Sequence, residues 1–558
     1  MSGAGKTIAT VTASGIAGID GVLTDTRWAG SAITYDFPSF STEYPDPYGG
    51  GENPGFLPAS AAMQTAVGFA LDTATGTAAD DGFAVEGFTA LSVVRVNTGS
   101  AHIRVAQTTA DPYGVGTAWS YFPGLASASG DAWFSDVLYD YTRPQAGNYA
   151  HATVLHELGH SLGLDHGHEV TDFGAAPSDQ DSLEYSVMTY RSYVNSAVIG
   201  YTNEAWGFPQ TYMMLDIAAL QYLYGANFTV NSGATVYSWS PSSGQTLVNG
   251  QVGIDAGSNR IFATIWDGGG EDTYDLSKFT TNLQISLAPG GSSQFNTAQL
   301  AQLGAGQMAS GNIYNALQYQ DDPRSLIENA IGGTGNDRIQ GNAAANKLTG
   351  GNGNDRLEGA AGNDILSGGR GLDRLDGGDG RDLLRGNQSR DQLFGGGDKD
   401  RLYGASGNDL LKGGAENDLL VGGKGRDKLL GEAGNDRLSG GAGDDTLIGG
   451  LGRDILTGND GTDTFKFLSR KDSGLKAKSD AITDFTRGED ILDLRSVAPG
   501  QIQFMTNTGF DGTGPSLYTV QVGDRVRVMV DSDGNGKADM RIWLNDMNQD
   551  LQTTDFLL

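Results

Sequence analysis

A nine-residue repeat constrains the fold of this chain more than any other feature. The repeat begins at Gly332 and runs without a slip to Lys466, which makes fifteen consecutive units. Gly opens every unit, Asp holds the sixth position in fourteen of them, and the eighth position is always apolar, from Ile339 to Phe465. This G-G-x-G-x-D-x-U-x pattern, in which U is apolar, is typical of a parallel β-helix whose turns bind calcium.

Each position that recurs across the fifteen units has a physical reason. Glycines supply turns with positive φ, the apolar residues form an internal ladder, and the aspartates align in rows that repel one another without a cation. Carboxylates and turn carbonyls are the oxygen ligands that calcium prefers. A flexible Gly-rich linker is the alternative, but it would not keep the Asp and Leu positions through fifteen units. The repeat predicts calcium ligands at Gly351, Gly353, Asp355, Asp364, Asp373, Asp382, Asp409, Asp427, Asp436, Asp445, Asp454 and Asp463. Units in which Ser389, Asp398 or Glu416 replaces a glycine are left out of this set.

The composition limits the partners and the chemistry. The 558 residues include 36 Lys and Arg against 67 Asp and Glu, a formal net charge of −31. Such a charge repels phosphate backbones, so we expect no nucleic-acid partner. No stretch approaches the roughly 18 apolar residues of a membrane span, so no transmembrane segment is predicted. The absence of Cys excludes disulfides and thiolate metal sites, and the N-terminus lacks the apolar core of a secretory signal.

Five of the six histidines lie between positions 151 and 168, and three of them form a metal-binding pattern. The pattern is H-E-x-x-H-x-x-G-x-x-H, from His156 to His166. On a helix, His156 and His160 share one face, and Gly163 can end the helix so that His166 becomes a third ligand. Three imidazoles leave one position open for water, as in catalytic zinc sites, and Glu157 is then the general base. Core packing is the alternative, but it does not explain the eleven-residue spacing.

A methionine downstream makes a resemblance specific. Met188 follows His166 by 22 residues, within Ser186-Val187-Met188-Thr189-Tyr190, and matches the Met-turn of metzincins. Together with the repeat, the chain resembles a serralysin, a secreted bacterial zinc endopeptidase with a C-terminal RTX β-roll. The resemblance implies that Met188 lies beneath the zinc without binding it. It also implies that Tyr190 binds zinc and swings to stabilise the transition state.

The resemblance extends over most of the chain. Trp28 with Ile33-Thr34-Tyr35 is similar to the first strand of the family, and Leu215 to Asn227 to the helix that closes the protease domain. Gly130 to Phe134 is similar to the edge strand on which an extended substrate lies. Ala234 stands where the family has an Asp ligand, so calcium is not expected there. The resemblance implies further calcium ligands at Asp267, Gly269, Gly270, Asp272, Glu328, Gly333, Gly335, Asp337, Asn342, Ala344 and Asn346.

We therefore predict an α+β fold with a metzincin zinc-protease domain, a parallel β-roll (RTX β-helix) and a C-terminal β-rich cap. The predicted divisions are an N-terminal segment or short propeptide (1–27), the protease domain (28–225), a linker with calcium-binding segments (226–331), the roll (332–466) and the cap with a secretion signal (467–558). Alternation and apolar periodicity predict strands at Ala32–Phe37, Ser92–Val96, Val526–Val530 and Met540–Leu544, and a helix at Ala59–Leu71.

Two features near the C-terminus bear on calcium and on export. Asp531 to Asp539 is similar to the start of an EF-hand loop, but Ile542 stands where a bidentate Glu is needed, so a plain hairpin turn is favoured. The last residues, Asp555-Phe556-Leu557-Leu558, resemble the end of type I secretion substrates. We expect a secreted, extracellular protein without an N-terminal signal peptide, exported by type I secretion machinery.

The sequence predicts a zinc-dependent endopeptidase that hydrolyses proteins or peptides as a monomer, with one catalytic zinc and several structural calcium ions. The expected zinc ligands are His156, His160, His166 and Tyr190, and the expected catalytic residues are Glu157 and Tyr190. One alternative is a calcium-dependent surface-binding protein with a vestigial protease domain, against which the intact Glu157 argues. The other is a zinc hydrolase acting on non-protein substrates, against which the Met-turn argues.

Overall fold

Most of the regular structure is β-strand, and helices are few. The computed structural model describes residues 6–44, 55–97, 100–112, 114, 116–506, 509–547 and 549–558. The first five residues of the predicted N-terminal segment lie outside the described residues. The chain divides into a first unit, 1–279 with 284–327, and a second unit, 280–283 with 328–558.

The main sheet of the first unit is largely parallel. Its strand order is Ser92–Arg95, Ala32–Asp36, Ile103–Thr108, Ala132–Ser135 and Ala118–Ser120. The first four strands run parallel to their neighbours, and the last is antiparallel. A further strand, Phe56–Pro58, pairs antiparallel with Ile103–Thr108. The strands predicted from alternation at 32–37 and 92–96 are therefore confirmed.

The prediction that Gly130 to Phe134 forms the edge strand is wrong. Ala132–Ser135 lies inside the sheet, and all four of its residues are buried. The preceding chain folds back on it, so that Ala118 pairs with Phe134 and Ser120 with Ala132. Within the described residues, the border strand on this side of the sheet is therefore Ala118–Ser120.

Helices contribute much of the buried core of the first unit. The helix predicted at 59–71 is confirmed as Ala61–Leu71, capped by the Ser60 hydroxyl, which accepts from the Met63 N–H. The histidine helix, Tyr149–Leu162, buries almost all of its residues. The remaining helices are Ala17–Asp20, Val85–Phe88 and Met214–Tyr224.

The segment predicted as a linker adds to the first unit as far as residue 327. Phe262, Trp266 and Tyr314 belong to the same hydrophobic core as Leu155 and Leu158 of the histidine helix. The strands of this segment are Val236–Ser240, Ser243–Val248, Gln251–Ile254, Ala263–Ile265, Thr273–Asp275, Gln284–Ser286, Ser292–Ser293, Gln302–Gly304, Gln307–Met308 and Ile313–Asn315.

The repeat forms a roll of two parallel sheets in the second unit. Each strand pairs with the strand two repeats later, as in the register Leu348, Leu366, Leu384. The first roll sheet contains Arg338–Gln340, Arg356–Ala361, Arg374–Asp379, Gln392–Gly396, Leu410–Ala415, Lys428–Gly434, Thr446–Gly452 and Thr464–Lys466. The second roll sheet contains Asn329–Ile331, Lys347–Asn352, Ile365–Arg370, Leu383–Gln388, Arg401–Ser406, Leu419–Lys424, Arg437–Ala442 and Ile455–Asp460. The apolar residues at the eighth position are at most 1% exposed, which confirms the predicted ladder.

The cap closes the open end of the roll with further strands. Asp480–Ile482 pairs in parallel with the roll strand Ile455–Asp460 and with Met540–Leu544. The predicted cap strands are confirmed as Arg525–Asp531 and Met540–Leu544, which form an antiparallel hairpin with 531–539 at its turn. One carboxylate oxygen each of Asp531, Asp533 and Asp539 lies within 4.8 Å of the others, so the turn also collects a set of possible metal ligands. The other cap strands are Ile491–Asp493, Gln503–Phe504, Ser516–Val522 and Phe556–Leu557. No helix in the described part of the chain is long and apolar enough to span a membrane.

Candidate metal centre and active site

The histidine helix and the turn after it bring three imidazoles together. Asn148 caps the helix by accepting from the His151 N–H, and Gly163 ends it with a left-handed φ of 106°. The Nε2 atom of His156 lies 3.2 Å from those of His160 and His166, and the latter two are 3.1 Å apart. Tetrahedral zinc with Zn–N bonds of about 2.0–2.1 Å requires nitrogen separations of this size.

The tautomers of two of these histidines are fixed by backbone carbonyls. The Nδ1 atom of His156 donates to Val187 O, and that of His160 donates to Leu164 O, each over 2.8 Å. Since a carbonyl only accepts, Nδ1 carries the proton and Nε2 presents a lone pair. Burial lowers the pKa of His156 to about 3 and that of His166 to about 4, so both are neutral. Three converging imidazole nitrogens are a donor set that can hold a metal ion such as zinc.

A buried carboxylate adjoins the cluster. Glu157 is 6% exposed, and burial raises its pKa to about 8. Ser120, on the border strand, donates its hydroxyl to Glu157 Oε2 over 3.0 Å, which opposes this rise. The carboxylate therefore has one oxygen bound to the sheet, and the bond fixes its orientation relative to the border strand.

The turn containing Met188 lies under the histidine helix. Met188 is fully buried, and a Cβ at Gly159 would lie 2.5 Å from its sulfur, so this helix position must be glycine. Asp216 holds the turn: its carboxylate accepts from the Ser186 hydroxyl over 2.6 Å and from the Val187 N–H over 2.8 Å. Because Val187 O in turn accepts from His156, Asp216 orients a predicted ligand through the turn.

Tyr190 lies beside the imidazoles. Its ring centroid is 5.6 Å from that of His156 and 4.7 Å from those of His166 and His168. Burial is the main cause that raises the pKa of its phenol, which therefore keeps its proton as a hydrogen-bond donor at neutral pH. The ring of His168 also lies against Tyr190.

A cavity of about 520 Å³ opens beside these residues. His156, Glu157 and Tyr190 line one part of it. Aromatic side chains line much of the remainder, namely Tyr139, Tyr149, Tyr201 and Phe208. The cavity is therefore a largely apolar space next to the metal-ligand cluster.

Sequence reasoning did not identify the roles of Ser120 and Asp216. Ser120 carries no motif, and its partner Glu157 lies 37 residues away. Asp216 did offer a signal, since it is a single carboxylate in the otherwise apolar run Met213-Met214-Leu215-Asp216-Ile217. A charge at such a position is costly unless it is hydrogen-bonded.

The roll aligns its aspartates in two buried rows. In each row the Oδ1 atom of one Asp accepts from the backbone N–H of the Asp two repeats earlier, as Asp373 does from Asp355 over 2.8 Å. The Oδ2 atom has no hydrogen-bond partner in the described residues. This holds for Asp355, Asp364, Asp373, Asp382, Asp391, Asp400, Asp409, Asp418, Asp427, Asp436, Asp445, Asp454 and Asp463. Buried unpartnered carboxylate oxygens suit a hard cation such as calcium.

The three units in which Ser389, Asp398 or Glu416 replaces a glycine keep the same turn. Ser389, Asp398 and Glu416 adopt left-handed φ values of 78°, 67° and 72°. Their aspartates Asp391, Asp400 and Asp418, which the sequence prediction omitted, have the same hydrogen bonds and the same unpartnered oxygen as their neighbours. The geometry of these units therefore does not distinguish them from the others.

The first two repeat units differ from the rest. Asp337 uses both carboxylate oxygens, accepting from the Leu283 and Gly333 N–H groups. Asn346 replaces Asp, and its amide donates to Glu328 O and Asn342 Oδ1, each over 3.0 Å. Three turn carbonyls of these units lie close to the α-carbon of the glycine eighteen residues later, so a Cβ at that glycine would collide with the carbonyl oxygen. The pairs are Gly333 with Gly351, Gly335 with Gly353, and Ala344 with Gly362.

A separate pair of buried carboxylates lies in the first unit. Asp267 accepts from the Tyr237 hydroxyl and from the Gly269 N–H, each over 2.8 Å. Burial and the nearby Asp272 carboxylate raise the pKa of Asp267 to about 9. Gly269 and Gly270 have φ values of 132° and 147°. The pair is an oxygen-rich set of the kind that the resemblance implies for calcium.

Comparison with known proteins agrees with the repeat. The family model described as Peptidase M10 serralysin C terminal matches residues 226–558. The chain is 33% identical over 258 residues to the metalloprotease AprA of Pseudomonas entomophila (strain L48), which covers 45% of this chain and 49% of that protein. It is 34% identical over 249 residues to the serralysin of Proteus mirabilis, covering 43% and 46%. The matches thus span about half the length of these curated relatives.

One solved structure is also similar in sequence. It is the solution structure of the AlgE6R3 subunit from the Azotobacter vinelandii mannuronan C5-epimerase, 28% identical over 27% of this chain and 80% of that chain. Its TM-score of 0.16 is too low to bear on the fold. Because the serralysin model matches more than half of the sequence, the chain belongs to the serralysin-type RTX metalloprotease family.

Proposed function

We propose that the chain is a zinc-dependent endopeptidase. The observation that carries the proposal is the convergence of three unprotonated imidazole nitrogens beside a buried carboxylate. The zinc ligands would be His156, His160 and His166, with Tyr190 as the further ligand that the family resemblance implies. The relatives named metalloprotease and serralysin support the same activity.

The residues around the cluster then have defined roles. Zinc bound there would polarise the scissile carbonyl and lower the pKa of a bound water toward about 7. Glu157 accepts the proton of the attacking water and returns it to the leaving amine. Ser120 holds one carboxylate oxygen of Glu157, which leaves the other for the proton. Tyr190 donates a hydrogen bond to the oxyanion that develops on the substrate carbonyl.

Extended polypeptides are the substrates that fit this site. The border strand Ala118–Ser120 has an antiparallel neighbour on one side, and its other side can pair with the main chain of a peptide. The cavity beside Glu157 would receive one substrate side chain. Its lining by Tyr139, Tyr149 and Phe208 favours a large apolar side chain there.

We further propose that several calcium ions stabilise the roll. The supporting observation is the row of buried Oδ2 atoms without a partner in the described residues. Sites of this kind fill at the calcium concentrations found outside cells, about 10⁻⁴–10⁻³ M. The enzyme would therefore be a secreted monomer, exported by type I secretion machinery and folded after export.

Digestion of casein by the purified full chain in calcium buffer tests the activity. We expect cleavage that a zinc-selective chelator stops and added zinc restores, with an unchanged circular dichroism spectrum. His166→Ala should lose both zinc and activity, whereas His102→Ala, in the same unit but outside the cluster, should keep both. Cleavage that survives zinc removal would refute the proposal.

A further inference from the structure

The two roll sheets differ in how their basic residues are neutralised. The strands of the first roll sheet contain six basic residues and four acidic ones. Five of the six basic residues are in ion pairs, namely Arg338, Arg356, Arg374, Lys412 and Lys466. The charges of the first roll sheet are therefore largely satisfied within the protein.

The second roll sheet carries basic residues without acidic partners. Six successive strands, from Lys347–Asn352 to Arg437–Ala442, contain one basic residue each and no acidic residue. These residues are Lys347, Arg370, Arg385, Arg401, Lys424 and Arg437. All six are exposed, and none has an ion pair among the described residues. A positively charged strip of this kind is unusual in a chain with a net charge of −31.

A groove of about 690 Å³ runs along the border of this sheet, where the turns enter the strands. We define the basic groove by its four cations, Arg381, Lys399, Arg401 and Arg437. Arg381 and Lys399 come from neighbouring turns, and they too have no ion pair in the described part of the chain. The aspartates in the groove lining, Asp364, Asp382, Asp400 and Asp418, are at most 3% exposed, so a ligand would meet the cations first.

The other residues of the groove have the chemistry of carbohydrate recognition. Asn363 and Asn417 each accept a backbone N–H of the next turn through Oδ1, which leaves their Nδ2 donors for a ligand. One cross-strand row contains, in order, Ile365, Leu383, Arg401, Leu419 and Arg437, and its apolar members provide contact for sugar rings. Neighbouring strands in a sheet are about 4.8 Å apart, close to the length of one pyranose residue.

We infer that the basic groove binds a linear polysaccharide with regularly spaced carboxylates. Guanidinium groups recognise carboxylates in a bidentate manner, and the repeat spacing presents them in register with a chain of sugars. A flat bilayer would not fill a groove, and single-stranded nucleic acid is typically bound by stacking on aromatic side chains, none of which is among the described residues of the groove lining. The site lies in the second unit alone and does not depend on the proposed protease activity.

Calorimetric titration with a hexamer of β-1,4-linked glucuronate, in calcium buffer, tests the inference. We expect binding that weakens as salt is raised, and no binding of cellohexaose, which is the same chain without carboxylates. The groove variant combines Arg381→Gln, Lys399→Gln, Arg401→Gln and Arg437→Gln. Because four charge-assisted contacts are removed together, the variant should bind at least about tenfold more weakly.

A matched variant distinguishes the contribution of the groove to binding from the contribution of the net charge. It combines Arg338→Gln, Arg356→Gln, Arg374→Gln and Lys412→Gln on the first roll sheet, which changes the net charge equally. It should bind within about threefold of the wild type. If the groove variant does not fold, the pair Lys399→Gln and Arg437→Gln takes its place. Equal loss in both variants, binding of cellohexaose, failure of the glucuronate hexamer to bind, or tighter binding of single-stranded DNA or phosphatidylglycerol vesicles would overturn the assignment.

Discussion

The histidine cluster of the first unit and the aspartate rows of the second unit both collect polar atoms that need a cation, but they are assembled differently. The cluster depends on single residues from separate segments, including Ser120, His166, Val187 and Asp216. The rows depend on thirteen equivalent aspartates that repeat one local geometry. A convergent site therefore fails when one residue is lost, whereas a repeated site should weaken by small steps.

The largest loss of activity is expected from removing Glu157, the single proposed general base of the histidine cluster. Glu157→Ala should reduce casein hydrolysis about 10²–10⁴-fold, because no neighbouring carboxylate in the described site replaces the proton acceptor. Zinc content should remain near one per chain, since the three imidazoles are unchanged. The matched variant Asp409→Ala, in the roll, should keep its hydrolysis rate. Substantial activity in the Glu157 variant would remove the contrast between the two regions.

The second-largest loss of activity is expected from removing the hydroxyl of Tyr190, which lies beside the imidazoles. Tyr190→Phe should lower kcat about 10²–10³-fold with little change in KM, because only the oxyanion donor is removed. The ring contacts with His156 and His166 remain, so zinc binding should survive. Steady-state kinetics on a peptide substrate measures this. A kcat within threefold of the wild type would mean that Tyr190 only packs.

A pH experiment tests the aspartate rows as a set. Burial raises the pKa of Asp391 and Asp400 from 3.8 to about 8, and that of Asp355 to about 7. A folded-state pKa above the unfolded value stabilises the protein at low pH, and this stabilisation is lost as pH rises through the folded value. Without calcium, the unfolding temperature of the roll should therefore fall progressively between about pH 4 and pH 8, from the unfolded to the folded pKa values.

Calcium provides the control for that experiment. Added calcium should remove most of the decrease, because the deprotonated carboxylates then have a cation to bind. Thermal unfolding followed by circular dichroism measures both series. An unfolding temperature that rises with pH in the absence of calcium would contradict the buried, unpartnered state of these carboxylates.

The smallest effect is expected for single positions within the rows. Asp391→Asn and Asp409→Asn should each lower the unfolding temperature in calcium by about 2–4 °C, as expected for a change near 1 kcal/mol in a unit of this size. The sequence pattern separates the two positions, since Ser389 replaces a glycine beside Asp391, but their hydrogen bonds are alike. A large loss for Asp409 with none for Asp391 would favour the sequence pattern over the geometry.

The local spacing of residues was sufficient to predict the roll and the histidine helix. A nine-residue period specifies the turn, the ladder and the parallel register, because each unit contacts only its neighbours along the stack. Likewise, the helical spacing of His156 and His160 and the left-handed Gly163 depend on the backbone within two turns of helix. The confirmed predictions, such as the apolar ladder and the helix Ala61–Leu71, are of this local kind.

Contacts between distant segments determined the strand order of the main sheet and the partners of the site residues. The sequence did not predict these features, because periodicity within a segment carries no information about which segment lies beside it. The border strand proved to be Ala118–Ser120 since the chain folds back on Ala132–Ser135, and no residue within either strand encodes that order. The bond from Ser120 to Glu157 and the hold of Asp216 on the Met188 turn span 37 and 30 residues. The ion pairs Arg338–Glu358 and Lys412–Glu432 of the first roll sheet likewise form only because the sheet places strands two repeats apart side by side.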